Sequence, residues 1–291
     1  MLVAPATARD LVRVRALLVG VIGLRLLLRR WWTLVDRPAS LFQPVPVVQW
    51  MGGPPSLWLV LGLWVAGLLA VGCTLARRAP AISFALAWFS LLLLTGWWGS
   101  SGKVMHNDLL LLTVAIPMLF ARSPDATDVE AGTARTRWGW PPRASLVVLA
   151  TIYCLTGIQK LRHSGLDWVF SDNLSWVIRQ GSSPFGTGFS QLVADQGWLT
   201  RLFAAGTLLI ELGAPVMLFF RRTRPSFALA SFALHGSIWA LMGLDYYAWI
   251  LTTWAVALPL AVWPEPVERF ARNGWPRSRL SLIPTSHEVS T

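Results

Sequence analysis

The sequence predicts an all-α fold, a polytopic integral membrane bundle of about eight transmembrane helices, and three observations support this prediction. The mean hydropathy is +0.53, 54% of the 291 residues are hydrophobic and only 13% are charged, whereas charged residues make up about 25% of a soluble domain. The 18 tryptophans suit a chain with many boundaries between water and lipid, where the amphipathic indole accumulates. The apolar residues also fall into runs close to the roughly 20 residues that cross a bilayer as a helix.

Eight apolar runs, separated by polar or basic segments, give the predicted spans. The first run is the least regular, because Gly20, Gly23 and Arg25 interrupt it, and the fourth is short. We place the spans at Val14–Trp31, Leu57–Ala76, Ala81–Trp98, Met105–Ala121, Ala144–Leu161, Leu202–Phe220, Phe227–Gly243 and Tyr247–Trp263. Residues 10–263 therefore form one predicted transmembrane domain, and residues 264–291 form a predicted flexible, cytoplasmic tail.

The basic residues predict which side of the membrane each segment occupies. When the loops are assigned alternately from a cytoplasmic N-terminus, sixteen basic residues lie inside and eight outside, with Arg25 within the first span. Cytoplasmic loops carry the excess of arginine and lysine, so both termini of this cell-membrane protein are predicted to be cytoplasmic. The net charge of +11 does not indicate a nucleic-acid partner, because the arginines are dispersed between apolar runs. Cys73 and Cys154 lie within such runs, which indicates neither a disulfide framework nor a metal site.

Lys160 is the first candidate functional residue, because only Lys103 and Lys160 are lysines among the 25 basic residues. Arginine stays charged, whereas a partly buried lysine can lose its proton and act as a base. The ordinary alternative is a lysine that snorkels from a helix end to the interface. Tyr153, Gly157 and Lys160 share one face of a helix. Gly157 would let either a neighbouring helix or a flat ligand approach that face closely.

Three ionisable residues lie within predicted spans, where a charge is costly and usually faces a polar interior. At 1.5 Å per residue, Glu211 lies about 13 Å and His235 about 12 Å from the outer ends of their spans. The two side chains could therefore pair, either as a structural hydrogen bond or as part of a site. Arg25 could snorkel to the interface or neutralise Glu211, and we favour snorkelling.

The remaining polar chemistry lies in two predicted outer segments. The residues concerned are His106, Asn107 and Asp108 in the loop 100–108, and His163, Asp167 and Trp168 in the segment 162–201. Within the second segment, Leu174–Ile178 is short and amphipathic, which predicts a helix along the membrane surface. The inner loop 123–143 reads as a connector without clustered chemistry.

A family resemblance is carried by the stretch Tyr153-Cys154-Leu155-Thr156-Gly157-Ile158-Gln159-Lys160-Leu161, followed by Asp167-Trp168. This pattern resembles the aromatic–small–Gly–x–x–Lys–Leu…Trp signature in the membrane domain of vitamin K-dependent gamma-carboxylase. Bacterial relatives of that domain form the HTTM (horizontally transferred transmembrane domain) family. The resemblance extends over residues 10–263.

Two further stretches are similar to the same family. His106-Asn107-Asp108 resembles a polar His/Asn pair that precedes a transmembrane helix of the family. Glu211-Leu212-Gly213-Ala214-Pro215, then Arg224 and His235, resembles a Glu-x-x-x-Pro, Arg and in-helix His arrangement over two consecutive spans. The resemblance thus includes polar residues selected above, namely the rare lysine Lys160 and two ionisable residues within predicted spans, Glu211 and His235.

The resemblance implies that Lys160 is a base that deprotonates a reduced quinone, such as menaquinone in a bacterium, at the outer face. We accordingly expect catalytic roles for Lys160, His106 and His235, and substrate binding by Asn107, Tyr153, Gly157, His163, Asp167, Trp168 and Glu211. Gln159 stands where the carboxylase has a second lysine, and the chain ends soon after its last span, without the carboxylase's β-rich region. Carboxylation of peptidyl glutamate is therefore not expected.

Two hypotheses of different classes remain open. In the first, the chain is a membrane enzyme, carboxylase- or epoxidase-like, that acts on a quinone or lipid-like substrate. In the second, it is a non-enzymatic membrane component for export, immunity or assembly, and the polar cluster only stabilises the outer loops. The expected partners are the lipid bilayer and a quinone or lipid ligand.

Overall fold

The computed structural model describes residues 5–101, 106–132 and 134–262, and within these ranges the chain folds into a helical bundle. A short antiparallel ladder joins β1 (Ala6–Thr7) to β2 (Ala134–Arg135). The helices are α1 (Ala8–Leu28), α2 (Leu57–Leu75), α3 (Pro80–Gly99), α4 (Leu109–Leu119), α5 (Ala126–Ala131), α6 (Thr136–Ser164), α7 (Asp167–Phe170), α8 (Asn173–Gln180), α9 (Thr187–Ala194), α10 (Gly197–Phe219), α11 (Arg224–Met242) and α12 (Tyr247–Ala257). The predicted tail 264–291, together with Lys103, Met105 and Trp263, lies outside the described residues.

Five helices, α2, α3, α6, α10 and α11, are long and apolar enough to cross a membrane. Their outward faces carry large exposed apolar side chains, among them Leu69, Ile82 and Leu209. Apolar surface of this extent is stable against lipid and would associate or aggregate in water. The predicted all-α class is therefore confirmed, and five of the eight predicted spans correspond to helices that could cross a membrane.

The other three predicted spans, the first, fourth and eighth, correspond to α1, α4 and α12. Helix α1 begins at Ala8, earlier than predicted, because Thr7 and Asp10 form a capping box at its N-terminus. Helices α4 and α12 have 11 residues each, which makes each about 16 Å long at 1.5 Å per residue. Both are shorter than predicted: His106–Asp108 forms a 3₁₀ turn before α4, and Pro259 disfavours helix at the residue before it.

Helix α1 runs through the middle of the bundle and contacts α2, α3, α4, α6 and α12. Its inward residues Leu11, Leu18 and Ile22 are fully buried. Most residues of α4 and α12 are buried as well. The polar side chains of the central helices α1, α4 and α12 therefore contact other parts of the protein. The outer helices instead carry apolar side chains on the surface of the bundle.

The loops named below gather at two ends of the bundle. One end, here called the basic end, joins β1, β2, the last turn of α10 and the first turn of α11. The other, the Lys160 end, holds the 3₁₀ turn His106–Asp108, helices α7 to α9 and the loop 243–246. The short helix predicted near Leu174–Ile178 is present at this end as α8.

Candidate functional site

Lys160 and Glu211 form a close ion pair between α6 and α10. The Lys160 Nζ donates to both carboxylate oxygens of Glu211, at 2.6 Å to Oε1 and 2.7 Å to Oε2. The Lys160 side chain is 23% exposed and that of Glu211 9% exposed, so water screens the pair only partly. Glu211 thus pairs with Lys160 rather than with His235, and the predicted Glu211–His235 pair is wrong.

Gly157 makes this ion pair possible by letting α6 and α10 approach closely. A Cβ on Gly157 would lie 3.0 Å from the Leu212 side chain and 3.1 Å from the Glu211 Cβ. Of the two alternatives that the sequence left open, the neighbouring helix occupies this face. Gly157 acts on the site through helix packing.

Trp168 closes one side of Lys160, with the Lys160 Nζ 5.4 Å from the centre of the ring. A cation over an indole face is attracted by the ring quadrupole. Trp168 is held there by α7, which follows α6 after the turn at Gly165. His163 and Asp167 lie nearby in sequence, but both are exposed, and the structure brings neither side chain to Lys160.

Tyr153, fully buried in α6, is the centre of a hydrogen-bonded cluster. Its hydroxyl lies 2.8 Å from Ser231 Oγ, 2.9 Å from His235 Nε2 and 3.3 Å from Thr253 Oγ1. The cluster joins α6, α11 and α12, about two helical turns along α6 from Lys160. His235 Nδ1 is buried and has no hydrogen-bond partner among the described residues. A buried imidazole nitrogen without a protein partner is uncommon, and it can accept a hydrogen bond from a water molecule or from a ligand.

An aromatic group links His235 to the surface at the Lys160 end. The rings of Tyr246 and Trp249 lie 5.4 and 5.2 Å from that of His235, and the Tyr246 hydroxyl lies 3.0 Å from His106 Nε2. Tyr246 precedes α12, and burial raises the pKa of its phenol above the ordinary value. The phenol therefore stays protonated. His106, Tyr246, His235 and Tyr153 form a series in which each side chain is adjacent to the next.

The two residues after His106 each contact another part of the bundle. Asn107 contacts the loop 243–246, and Asp108 contacts the arginines at the end of α1. Asn107 Nδ2 donates to the carbonyl of Asp245 at 2.5 Å. Asp108 is buried and lies 2.5 Å from Arg25 Nε and 2.9 Å from Arg29 Nη1. Arg25 also bonds Asp245 at 2.9 Å and is itself buried. The expectation that Arg25 snorkels is therefore wrong, because two carboxylates compensate its charge inside the bundle.

A cavity of about 630 Å³ opens beside His235 between α11 and α12. Aromatic side chains form much of its wall, and the polar groups are few. The lining residues used below are Phe185, Phe232, His235, Trp239, Asp245 and Tyr246. Such a wall, mainly apolar with a few convergent polar groups, is typical of a small-molecule site. Lys160 and Glu211 are absent from this wall.

The site contains groups that can move a proton and shows no metal-type arrangement. Within the described ranges, no three His, Cys, Asp or Glu side chains are grouped as metal ligands. The Tyr153 hydroxyl can donate to His235 Nε2 or accept from it, since Ser231 and Thr253 offer alternative partners. When Tyr153 accepts from Nε2–H, the proton of the neutral imidazole is on Nε2 and Nδ1 carries a free lone pair. That is the form in which Nδ1 can act as a base.

Sequence reasoning missed Asp245, Tyr246, Trp249 and the two hydroxyl partners of Tyr153. A compositional signal was available, because the chain has only three tyrosines, Tyr153, Tyr246 and Tyr247. Tyr246 and Tyr247 line the cavity, and Tyr153 bonds the histidine of its wall. The scarcity that drew attention to Lys160 would have selected the tyrosines as well.

Comparison with known proteins gives no match to a family model, to a curated protein or to a solved structure.

Proposed function

We propose that this chain is a cell-membrane protein of the HTTM type that binds a reduced quinone, or a similar lipid with a ring hydroxyl group, and removes the proton of that hydroxyl. The motif resemblance around Lys160, Glu211 and His235 supports the family, and five helices of spanning length support the membrane location. Helices α1, α4 and α12 complete eight spans in this proposal. The excess of basic residues places both termini in the cytoplasm and the Lys160 end outside.

The observation that carries the proposal is the meeting of the aromatic cavity with a buried, unpartnered nitrogen. His235 lines the cavity, and its Nδ1 has no hydrogen-bond partner among the described residues. A flat ring with a hydroxyl group can stack on Tyr246 or Phe232 and donate to that nitrogen. The ligand would then satisfy a buried polar atom of the cavity wall that has no partner among the described residues.

An apolar groove beside the cavity suits the hydrocarbon tail of such a ligand. The groove has a volume of about 330 Å³, is lined by side chains such as Leu174, Phe203 and Leu241, and adjoins the cavity at Ala233 and Ser237. These two small residues lie one helical turn apart on α11 and leave room for a chain to pass between the two spaces. A ring in the cavity and a tail in the groove match the polarity of a quinone or related lipid.

The proton step follows from the order of the groups. The hydroxyl of the bound ring transfers its proton to His235 Nδ1, which leaves a ring oxyanion and an imidazolium. Tyr153 accepts a hydrogen bond from His235 Nε2–H and fixes the imidazole in this tautomer. Lys160 does not line the cavity and is a separate candidate for the base that the family resemblance implies: it becomes a neutral amine when it transfers its proton to Glu211 within the pair.

Identification of the bound lipid tests the proposal. The protein is purified in mild detergent, and its extracted lipids are analysed by mass spectrometry for ring-bearing species. His235→Phe keeps the ring volume and removes both nitrogens, while Ser231 and Thr253 still bond Tyr153. We expect this variant to lose about tenfold or more of the bound lipid, the order of one hydrogen bond to a buried group.

His163→Phe is the matched control, because His163 is exposed and lies away from the cavity. It should retain the lipid content of the unmodified protein. Equal retention by the two variants, or the absence of any ring-bearing lipid from the unmodified protein, would contradict the proposal.

A non-enzymatic role is the second candidate, and the geometry of the Lys160–Glu211 pair favours it. Both oxygens of Glu211 are bonded to Nζ, as expected if the pair only joins α6 to α10. Lys160→Arg separates the two functions, because arginine preserves the charge and the pairing but cannot serve as a base. A phenotype unchanged by Lys160→Arg supports the structural role, whereas its loss in a folded, membrane-inserted variant supports the enzyme.

A further inference from the structure

Three arginines converge on a cavity at the basic end, on the opposite side of the bundle from His235. The cavity has a volume of about 510 Å³. Arg143 of α6, Arg221 of the loop before α11, and Arg224 of α11 line it together with Asp10. We refer to this space as the arginine cavity.

Backbone carbonyls fix the three guanidinium groups in place. Arg143 Nη2 donates to the carbonyl of Pro5 at 2.9 Å, and Arg221 Nε donates to that of Leu260 at 3.3 Å. Arg224 Nε donates to the carbonyl of Leu218 at 2.9 Å, and its Nη1 donates to that of Leu260. The bonds to Leu218 and Leu260 orient Arg221 and Arg224 but do not neutralise them, because a carbonyl carries no net charge.

Carboxylates do not neutralise the two loop-side arginines. Neither Arg221 nor Arg224 forms a salt bridge within the described part of the chain. Asp10 lines the cavity, but it accepts from the backbone and hydroxyl of Thr7 in the capping box. Arg224 is only 4% exposed, and its Nη2 has no hydrogen-bond partner among the described residues. A charge so deeply buried is costly unless an anion compensates it.

We propose that the arginine cavity binds a phosphate group. The guanidinium fork matches phosphate oxygens in bidentate geometry, and several arginines around one space are the usual means of holding that group. The basic end faces the cytoplasm in the proposed topology, where anionic lipids enrich the membrane surface in phosphate. The head group of an anionic phospholipid and free phosphate share this chemistry, and the experiment below distinguishes them.

The test compares two neighbouring arginines in the same loop. Arg221→Gln removes one guanidinium from the cavity, whereas Arg222→Gln removes the same charge from an exposed side chain that is absent from the cavity wall. Each protein is reconstituted with phosphatidylglycerol and phosphatidylcholine in equal amounts, and the retained lipid is counted by native mass spectrometry. Binding of inorganic phosphate is measured separately in phosphatidylcholine alone.

With a lipid head group as the ligand, the unmodified protein and Arg222→Gln retain phosphatidylglycerol selectively. Arg221→Gln then retains about tenfold less, the order expected for one charge-assisted hydrogen bond. With free phosphate as the ligand, inorganic phosphate binding shows the same dependence on Arg221 and phosphatidylglycerol is not selected. Either outcome supports a phosphate site.

Equal binding of both probes by Arg221→Gln and Arg222→Gln would overturn the proposal and leave the arginines as caps of helix ends. If Arg221→Gln fails to fold, Arg221→Lys is substituted, since lysine keeps the charge and loses the bidentate fork. Under the proposal, Arg221→Lys binds phosphatidylglycerol or inorganic phosphate more weakly than Arg222→Lys does. Unchanged binding by Arg221→Lys, with Arg222→Lys also unchanged, would equally overturn it.

Discussion

The charged residues inside the bundle form ion pairs between different segments of the chain, and these pairs differ in how much of each side chain is exposed to solvent. Asp108 lies between Arg25 and Arg29, and all three carry little exposed surface. Asp245 bonds the same Arg25, but its side chain is 44% exposed. A buried charge that loses its partner costs several kcal/mol, whereas an exposed pair contributes little. Burial, rather than the number of ion pairs, therefore decides which residue the fold depends on.

This difference predicts unequal effects of two substitutions that remove the same charge. Asp108→Asn leaves Arg25 and Arg29 without their common carboxylate and should lower the free energy of unfolding by about 3 kcal/mol. Asp245→Asn leaves Asp108 in place and should cost less than about 1 kcal/mol. Denaturant titration in detergent micelles measures both, and equal losses would show that the Arg25–Asp108 contact does not stabilise the bundle.

The sequence identified most of these ionisable residues but not their partners. Counting residues along a helix gives the depth of a side chain, and depth suggested that Glu211 could meet His235. The rotation of each helix about its axis decides which neighbour a side chain faces, and that rotation follows from the packing of the whole bundle. Glu211 faces α6 and meets Lys160, while His235 faces Tyr153 and the cavity.

Among the elements, the contact between α6 and α10 is the one on which the Lys160 site depends. Leu212 of α10 packs onto the bare backbone of Gly157, which brings Glu211 within reach of Lys160 one turn away. Small residues at helix interfaces are the usual means of close approach in membranes. Gly157 and the ion pair therefore act together: Gly157 sets the distance between α6 and α10, and the ion pair fixes how far one helix is shifted along the other.

A bulky side chain at Gly157 should separate the two helices. Gly157→Leu overpacks a contact that already has no room, with an expected loss of about 1–3 kcal/mol in the free energy of unfolding. Gly213→Leu on α10 is the control, because no atom lies within 4 Å of a Cβ at that position. Thermal unfolding in detergent compares them, and a tolerated Gly157→Leu would mean that α6 and α10 are not held together at this point.

The apolar runs predict the bounds of some helices closely and of others poorly: α6 begins eight residues before the predicted Ala144, and α10 begins five residues before the predicted Leu202. Helices α2 and α11 lie at the outside, and their predicted and observed bounds agree within three residues. Helices α4 and α12 end early. Both are packed inside the bundle, where apolar residues outside the helix still find protein neighbours. An apolar run therefore marks a buried segment reliably, but it does not fix how much of that segment is helical.

At the scale of the whole molecule, the two ends of the bundle differ in chemistry. The Lys160 end carries His106, the aromatic cavity and the Arg25–Asp108 pair. The basic end carries the arginine cavity, which could not be predicted from the sequence because its arginines come from α6, the loop before α11, and α11. Each proposed ligand reaches its cavity from the membrane or from one aqueous side, so the orientation of the bundle decides which ligands are available.

Accessibility of single cysteines tests that orientation. In a background without Cys73 and Cys154, Gln191→Cys reports on α9 at the Lys160 end, and Glu130→Cys reports on α5 at the basic end; both positions are exposed. An impermeant maleimide applied to intact cells should label only Gln191→Cys, because the arginine excess holds the basic end in the cytoplasm. Permeabilised cells should label both, which controls for reactivity. The reverse pattern would place the Lys160 end in the cytoplasm, and the quinone site would then open towards the inner leaflet.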